Sequence, residues 1–362
     1  MALSLDLDVL WPEAETREGE SLSAPGLHSA LTELLASTVS EAGLSLAGRR
    51  LFQAEILRIL QQRIRFENRP SIPSMPDREV LVITGLPRSG TTLLHNLLAV
   101  DSSNFFVPLW RALYPCPVEA DSNDRQARVQ AAELQLRFAD RLSPSLRRIH
   151  PMYPEWPEEC ITLMQLSGLS DRYTICLRVP SYAAWLSRQA MDEPYRLLRS
   201  VVDAIEPTGM RTVLKAPSHL GNVREIRKVW PRSRFLTIRR SPDAAVISFC
   251  RLVEASRMVF SSLVDRKEIG PEWCEVWAER ARVQMPGGSI TLEYSDLVKG
   301  PTDVVRDVYQ EMGWSFSNDV RSKVADWATR HPAPTGAPTT AAQAYGLERS
   351  MILRGFSGST YT

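Results

Sequence analysis

Between residues 27 and 67 the apolar positions recur at helical spacing. Leu27, Leu31, Leu34, Leu35 and Val39 form one stripe and predict a helix from His28 to about Glu41. Phe52, Ile56, Ile59, Leu60 and Ile64 form another and predict a helix from Leu51 to Glu67, stopped by Asn68-Arg69-Pro70. The charges of both helices read as a solvated face. Residues 1 to 25, with Pro12, Pro25 and several acids, read as an extended arm, and Pro73 and Pro76 as a connector. At Val80 the period changes. Val80-Leu81-Val82-Ile83-Thr84 is a short, β-branched apolar run, which predicts a buried parallel strand. The turn Gly85-Leu86-Pro87-Arg88-Ser89-Gly90 follows, then Thr91-Thr92 and a helix with Leu93, Leu94, Leu97 and Leu98 on one face.

Further strands are expected at Arg211 to Lys215, Arg234 to Ile238 and Ser289 to Glu293. A helix from about His219 to Trp230 joins the first two, and Pro242 opens a long helix through Ser248 to about Leu263. Later helices are expected at 271 to 283, Asp303 to Met312 and 317 to 330. Between the first and second strands, Asp101 to Pro117 reads as a loop with aromatic anchors, and Asn123 to Leu142 as a long helix. Pro157 is placed in the first turn of a helix, where the dipole favours its neighbours Glu158 and Glu159. Strands alternating with helices give an α/β class: a P-loop-like parallel sheet flanked by helices, with a helical N-terminal extension. The boundaries expected are 1–78 for the extension, packed on the main domain, 79–330 for the α/β domain, and 331–362 for a C-terminal segment. In that last segment Pro332, Pro334 and Pro338 mark a candidate lid.

The 362 residues carry 43 Lys plus Arg and 42 Asp plus Glu, a net charge of +1, so bulk electrostatic binding of nucleic acid or anionic membrane is not expected. Any anion site must be local. Five scattered cysteines without a C-x-x-C suit a reducing compartment and argue against a zinc site. No run approaches eighteen apolar residues, and Asp6, Asp8 and Glu13 occupy the stretch where a basic leader would lie. A cytoplasmic protein without membrane insertion is expected. A homodimer is left open.

Strand, glycine turn and helix N-terminus form a phosphate cradle: backbone N–H groups point inward and the helix dipole favours an anion. The loop departs from the nucleoside-triphosphatase pattern, because Thr91 stands where that pattern has lysine and the cation is Arg88, inside the turn. No apolar strand ends in a magnesium aspartate; Phe235-Leu236-Thr237-Ile238 runs into Arg239-Arg240. An anion-binding, metal-free site is expected. In a parallel sheet Gly85 to Thr92, Lys215 to His219 and Arg240 all fall at strand carboxyl ends, where ligands bind, so they are expected to converge.

Pro87-Arg88-Ser89-Gly90-Thr91-Thr92 resembles the 5′-phosphosulfate loop of the sulfotransferases that use 3′-phosphoadenosine 5′-phosphosulfate. Arg240-Ser241-Pro242-Asp243 with Ser248 is similar to their 3′-phosphate motif, an Arg after a strand and a Ser eight residues on. Leu214-Lys215-Ala216-Pro217-Ser218-His219 resembles their Lys-x-His strand end with two extra residues, and Leu292-Glu293-Tyr294-Ser295-Asp296-Leu297 their Tyr-Glu-Asp-Leu turn. These pieces, in the family's order, span roughly two thirds of the chain and are closest to the bacterial type with a helical N-terminal extension. The resemblance implies transfer of a sulfuryl group to a hydroxyl or amine of a small organic acceptor, leaving 3′,5′-adenosine bisphosphate. It implies that Pro87, Arg88, Ser89, Gly90, Thr91 and Thr92 hold the 5′-phosphosulfate, that Arg240 and Ser248 hold the 3′-phosphate, that Lys215 and Arg88 neutralise the transferring group, and that His219 is the base. Where bacterial relatives read Trp-Glu, this chain has Trp110-Arg111, which leaves Glu158 and Glu159 as alternative bases. A late Arg354-Gly355 matches a 3′-phosphate contact of animal members only partly and reads as surface helix. The rival readings are a nucleotide-binding protein of this fold without transfer, and a P-loop kinase.

Overall fold

The structure, a computed structural model, describes residues 3–70, 78–117, 124–206, 209–332 and 342–361. The chain folds into two compact units, one made of Met1–Ser74, Pro108–Ile205 and Leu252–Val264, the other of Met75–Val107, Glu206–Arg251 and Asp265–Thr362.

The second unit is an α/β layer structure. Its strands are β1 (Val80–Thr84), β2 (Asn104–Phe105), β3 (Arg211–Lys215), β4 (Arg234–Arg239) and β5 (Ile290–Glu293). All pair in parallel, in the order β2-β3-β1-β4-β5. The expected α/β parallel sheet is present, and β2 is an addition: two residues inside the stretch read as a loop are too short to carry a period. β1 is central. Every residue of it is buried, and Ile83 is in register with Lys215 while Thr84 is in register with Thr237. The ends of β3, β1 and β4 therefore stand side by side. The core joins Leu81, Ile83, Val213, Leu236 and Ile238 of the sheet to Leu94, Leu97 and Leu98 of the helix Thr91–Ala99, and to Val305, Val308 and Tyr309 of the helix Pro301–Met312. At the opposite end of the sheet, Arg78 and Glu206 form a fully buried ion pair at 2.7 Å, and Arg78 also donates to Thr212 Oγ1 at 3.0 Å.

Two elements of this unit differ from expectation. The segment after β3 is a 3-10 turn over Pro217–Asn222 followed by a short α-helix, Val223–Val229, rather than one helix from His219. The Thr84 hydroxyl donates toward the Ala216 carbonyl at 3.0 Å and the Pro217 carbonyl at 3.2 Å, which ties those groups to β1 instead of to a helical ladder. The helix expected from 271 begins at Arg266, because the Asp265 side chain caps it by accepting from Lys267 N–H at 2.8 Å, and Pro271 lies inside it. Near the C-terminus, Arg349–Gly355 is the expected helix, and Arg354 is exposed on it. Part of the candidate lid, residues 333–341 with Pro334 and Pro338, lies outside the described residues.

The first unit is helical. The arm expected over residues 1 to 25 instead contains a helix, Leu7–Glu18. Asp6 caps it by accepting from Asp8 N–H at 3.0 Å, and Gly19, at φ 70°, closes it. Leu7, Leu10 and Ala14 form its buried stripe, and this burial offsets the backbone bond that Pro12 cannot make. Helices Pro25–Glu41 and Leu46–Glu67 follow, the second capped by Ser45. Their stripes meet in one core with Tyr173 and Tyr182. Gly48 has no room for a side chain, since a methyl there would sit 1.8 Å from the Phe260 carbonyl oxygen. That carbonyl accepts from Ser45 N–H at 2.9 Å, and a bridge pairs Leu44 with Ser261. This clasp ends the helix Pro242–Arg257 short of the expected Leu263.

The charges of Leu46–Glu67 are not all solvated. Arg58 is buried, holds Glu55 at 2.8 Å and donates to the Leu113 carbonyl, and Gln165 donates to Glu55 at 3.0 Å. Burial alone would raise the Glu55 carboxyl; the Arg58 charge and hydrogen bonds override it and hold the carboxyl at about 2. Around Trp110 the expected loop contains a helix, Leu109–Leu113, on which Arg111 lies. The long helix is Asp124–Leu142; Asn123 lies outside the described residues. Pro157 pairs with Pro108 in an antiparallel bridge, which keeps it out of the following helix, Cys160–Met164. Glu159 is that helix's N-cap, and the buried Glu158 accepts from the Thr162 hydroxyl at 3.0 Å. Among the described residues no helix is long and apolar enough to cross a membrane.

Candidate active site

The site is built where β1, β3 and β4 end. Beyond β1 the backbone takes three unusual steps within six residues: Gly85 at φ 128°, Arg88 at φ 63° and Gly90 at φ 97°. Positive φ at an arginine is uncommon and costs of the order of 1 kcal/mol, a strain that concentrates at functional loops. Gly90 is the N-cap of Thr91–Ala99 and supplies no side-chain cap, so the first N–H groups of that helix face an open cradle. A side chain at Gly90 would also be blocked, because its Cβ would lie 3.0 Å from the Tyr294 ring.

The cations converge on this cradle. Arg88 Nε donates to Ser248 Oγ at 3.2 Å. Arg240 Nη1 donates to the Arg88 carbonyl, and its guanidinium stacks 4.2 Å above the Tyr294 ring. Lys215, almost fully buried at the end of β3, points its ammonium at Thr92 Oγ1, 3.3 Å away. Thus Arg88, Arg240 and Ser248 form one linked set, and Lys215 with Thr92 a second at the same strand ends. Thr91 and Pro87 are buried within the loop and helix start. Ser89 is fully buried and its hydroxyl is turned to the Leu86 carbonyl at 2.7 Å, so its side chain shapes the loop. His219 is buried four residues past Lys215, its N–H bonded to the Ala216 carbonyl at 3.2 Å. Glu158, Glu159 and Arg111 belong to the other compact unit.

Three further residues of this neighbourhood carry no motif that sequence reasoning weighed for chemistry. Tyr294 sits in the Leu-Glu-Tyr-Ser-Asp-Leu turn, whose resemblance was the available signal. His95 is almost fully buried one helical turn past Thr91; burial, then the nearby Lys215 charge, hold its imidazole well below the ordinary value. Tyr361 lies against Gly85 and gave no signal at all. Among the described residues no group of three or more His, Cys, Asp or Glu side chains is placed to hold a metal ion.

Comparison with known proteins shows the family. A family model described as "Sulfotransferase family" matches residues 81–318, from β1 past β5 and well over half of the chain. The chain belongs to the sulfotransferase family. Over 286 residues, 70% of this sulfotransferase and 67% of the relative, it is 25% identical to the omega-hydroxy-beta-dihydromenaquinone-9 sulfotransferase Stf3 of Mycobacterium bovis and of Mycobacterium tuberculosis. Among solved structures, sulfotransferase STF9 of Mycobacterium avium superposes with a TM-score of 0.82 at 20% identity, covering 98% of this chain and 95% of that one. Sulfotransferase STF1 of M. tuberculosis gives 0.76 at 24% identity, covering 98% of both chains. These likenesses carry the fold, and the family match carries the enzyme class: the sulfotransferase is a transferase, and the readings as a kinase or a silent nucleotide binder are not favoured.

Proposed function

We propose that this sulfotransferase takes its sulfuryl group from 3′-phosphoadenosine 5′-phosphosulfate and delivers it to a hydroxyl of a small apolar acceptor. The observation that carries the donor reading is the link from Arg88 to Ser248 at 3.2 Å and from Arg240 to the Arg88 carbonyl, which joins a loop suited to the 5′-phosphosulfate to a helix start suited to the 3′-phosphate. Bound, such a donor supplies a sulfuryl group on a good leaving group, a phosphate. The chain's own groups then have three tasks. The free N–H groups of Thr91 and Thr92 and the Arg88 guanidinium hold the oxygens of the phosphosulfate. Lys215, buried and aimed at Thr92, sets a fixed positive charge where negative charge grows. His219 accepts the acceptor's proton, with Glu158 and Glu159 as the alternatives. Arg240 with Ser248 reads the 3′-phosphate, which separates this donor from adenosine phosphosulfate.

The hydroxyl acceptor is supported by the name of the Stf3 relatives, which act on an omega-hydroxylated menaquinone. An amine acceptor remains the second expectation of the sequence. The test is calorimetric titration with 3′,5′-adenosine bisphosphate, with and without magnesium, and with ATP alongside. Micromolar binding of the bisphosphate, indifferent to magnesium and absent for ATP, is expected. Preference for magnesium-ATP would overturn the donor assignment.

A further inference from the structure

Strands β4 and β5 end in register, with Arg239 opposite Glu293. The residues that follow, Arg240 and Tyr294, are therefore neighbours as well. The two pairs are built differently. Exposed Arg239 donates to a Glu293 carboxylate oxygen at 2.6 Å, so its charge is balanced locally. Arg240 lies on an aromatic face, its guanidinium carbon 4.2 Å from the centre of the Tyr294 ring, and its Nη1 donates to the Arg88 carbonyl. A ring quadrupole orients a guanidinium without cancelling its charge.

Tyr294 is itself fixed in place. It opens the helix Tyr294–Lys299 directly after β5, and its half-buried ring packs against the core that holds Leu94, Leu98 and Leu297. The same ring borders the phosphate loop: a methyl group at Gly90 would lie 3.0 Å from Tyr294 Cδ2 and 3.1 Å from Leu297 Cδ2. One side chain thus touches Gly90 of the loop and Arg240 of the neighbouring strand end.

We propose that Tyr294 is a positioning residue for nucleotide selectivity: its ring face holds Arg240 in place and leaves the guanidinium charge to a 3′-phosphate. Tyr294 touches no reacting atom and acts through Arg240. A carboxylate at this place would hold the arginine as firmly but compete with the phosphate for it. A phenylalanine carries the same face, whereas a leucine fills much of the volume without a quadrupole. The proposal rests on the donor reading above.

The test compares wild type, Tyr294→Phe and Tyr294→Leu by calorimetry with 3′,5′-adenosine bisphosphate and with adenosine 5′-monophosphate. In Tyr294→Leu the Kd of the bisphosphate is expected to rise about tenfold, the effect of losing a desolvated cation–aromatic contact, and that of the monophosphate to stay within about twofold. Tyr294→Phe should keep both. Equal losses for the two nucleotides would mean that the ring only walls the loop, and would overturn the proposal. A loss in Tyr294→Phe matching that in Tyr294→Leu overturns it too. If wild type does not itself prefer the bisphosphate, the donor reading falls instead. A second series decides the matter even where Tyr294→Leu fails to fold: Tyr294→Phe with its ring bearing no, one or three fluorines. Fluorination drains the ring face and nearly keeps its shape, so bisphosphate affinity should fall stepwise while monophosphate affinity holds; a flat response overturns the proposal.

Discussion

The two compact units hold charge in opposite ways. In the second, Arg88, Lys215 and Arg240 are gathered by strand ends, and their cationic heads point at hydroxyls and carbonyls around an open cradle. In the first, Arg58 is buried beside a carboxylate, a carbonyl and an amide, so its charge is spent inside the protein. Half-buried Arg172 stands in the same field, raised by Cys176, Glu158, Glu55 and Glu159 against the cost of burial. The arginines proposed to bind the donor and the arginine that holds Glu55 therefore differ in the groups beside them.

The contrast breaks most sharply at Arg58. Arg58→Ala leaves the part-buried Glu55 without its cation and should cost about 3 kcal/mol of stability, read by denaturant unfolding, with bisphosphate affinity unchanged in the folded fraction. A lost affinity without lost stability would erase the distinction. The acid limb sharpens it further. Glu55 is depressed from 4.5 to about 2 in the folded state, so its contribution is complete above pH 4.5 and disappears as pH falls toward 2. About 3 kcal/mol of acid-sensitive stability should vanish in Glu55→Gln, seen as a flatter stability profile across that window.

In the second unit the responses should appear in turnover and affinity. His219→Ala should lower turnover at least about a hundredfold in the folded fraction; a loss under about tenfold would pass the base role to Glu158 or Glu159. Arg240→Ala should weaken bisphosphate binding about tenfold or more, the worth of a charge-assisted pair, and unchanged affinity would remove it from the 3′-phosphate.

How much of this was readable in advance follows from the same contrast. The cradle was legible because Gly85 and Gly90 flank a turn between an apolar run and a helical stripe, and because Arg240 and Ser248 keep a fixed spacing. Local sequence dictates all of that. The sheet order was not: that Lys215 ends up beside Thr92 depends on β3 pairing with β1, a long-range choice no local pattern encodes. The helix Leu7–Glu18 was missed because Pro12 and the acids masked a stripe of only Leu7, Leu10 and Ala14, held in place by burial. The charges of Leu46–Glu67 read as solvated because Glu55 and Arg58 sit three residues apart on a helix, the usual spacing of an exposed pair. Their burial comes from Leu113 and Gln165, far along the chain.

The position of β1 also has a consequence in time. It ends at Thr84, but its two neighbours begin at Arg211 and Arg234. At about 5–20 residues per second of synthesis, the central strand leaves the ribosome roughly ten seconds before either partner exists. Until then its unbroken apolar run and the phosphate loop behind it have no sheet to join, so a nascent chain halted before Arg211 should capture no bisphosphate. The cell must shield that strand through the wait, and the enzyme's most exposed moment comes before it has an active site.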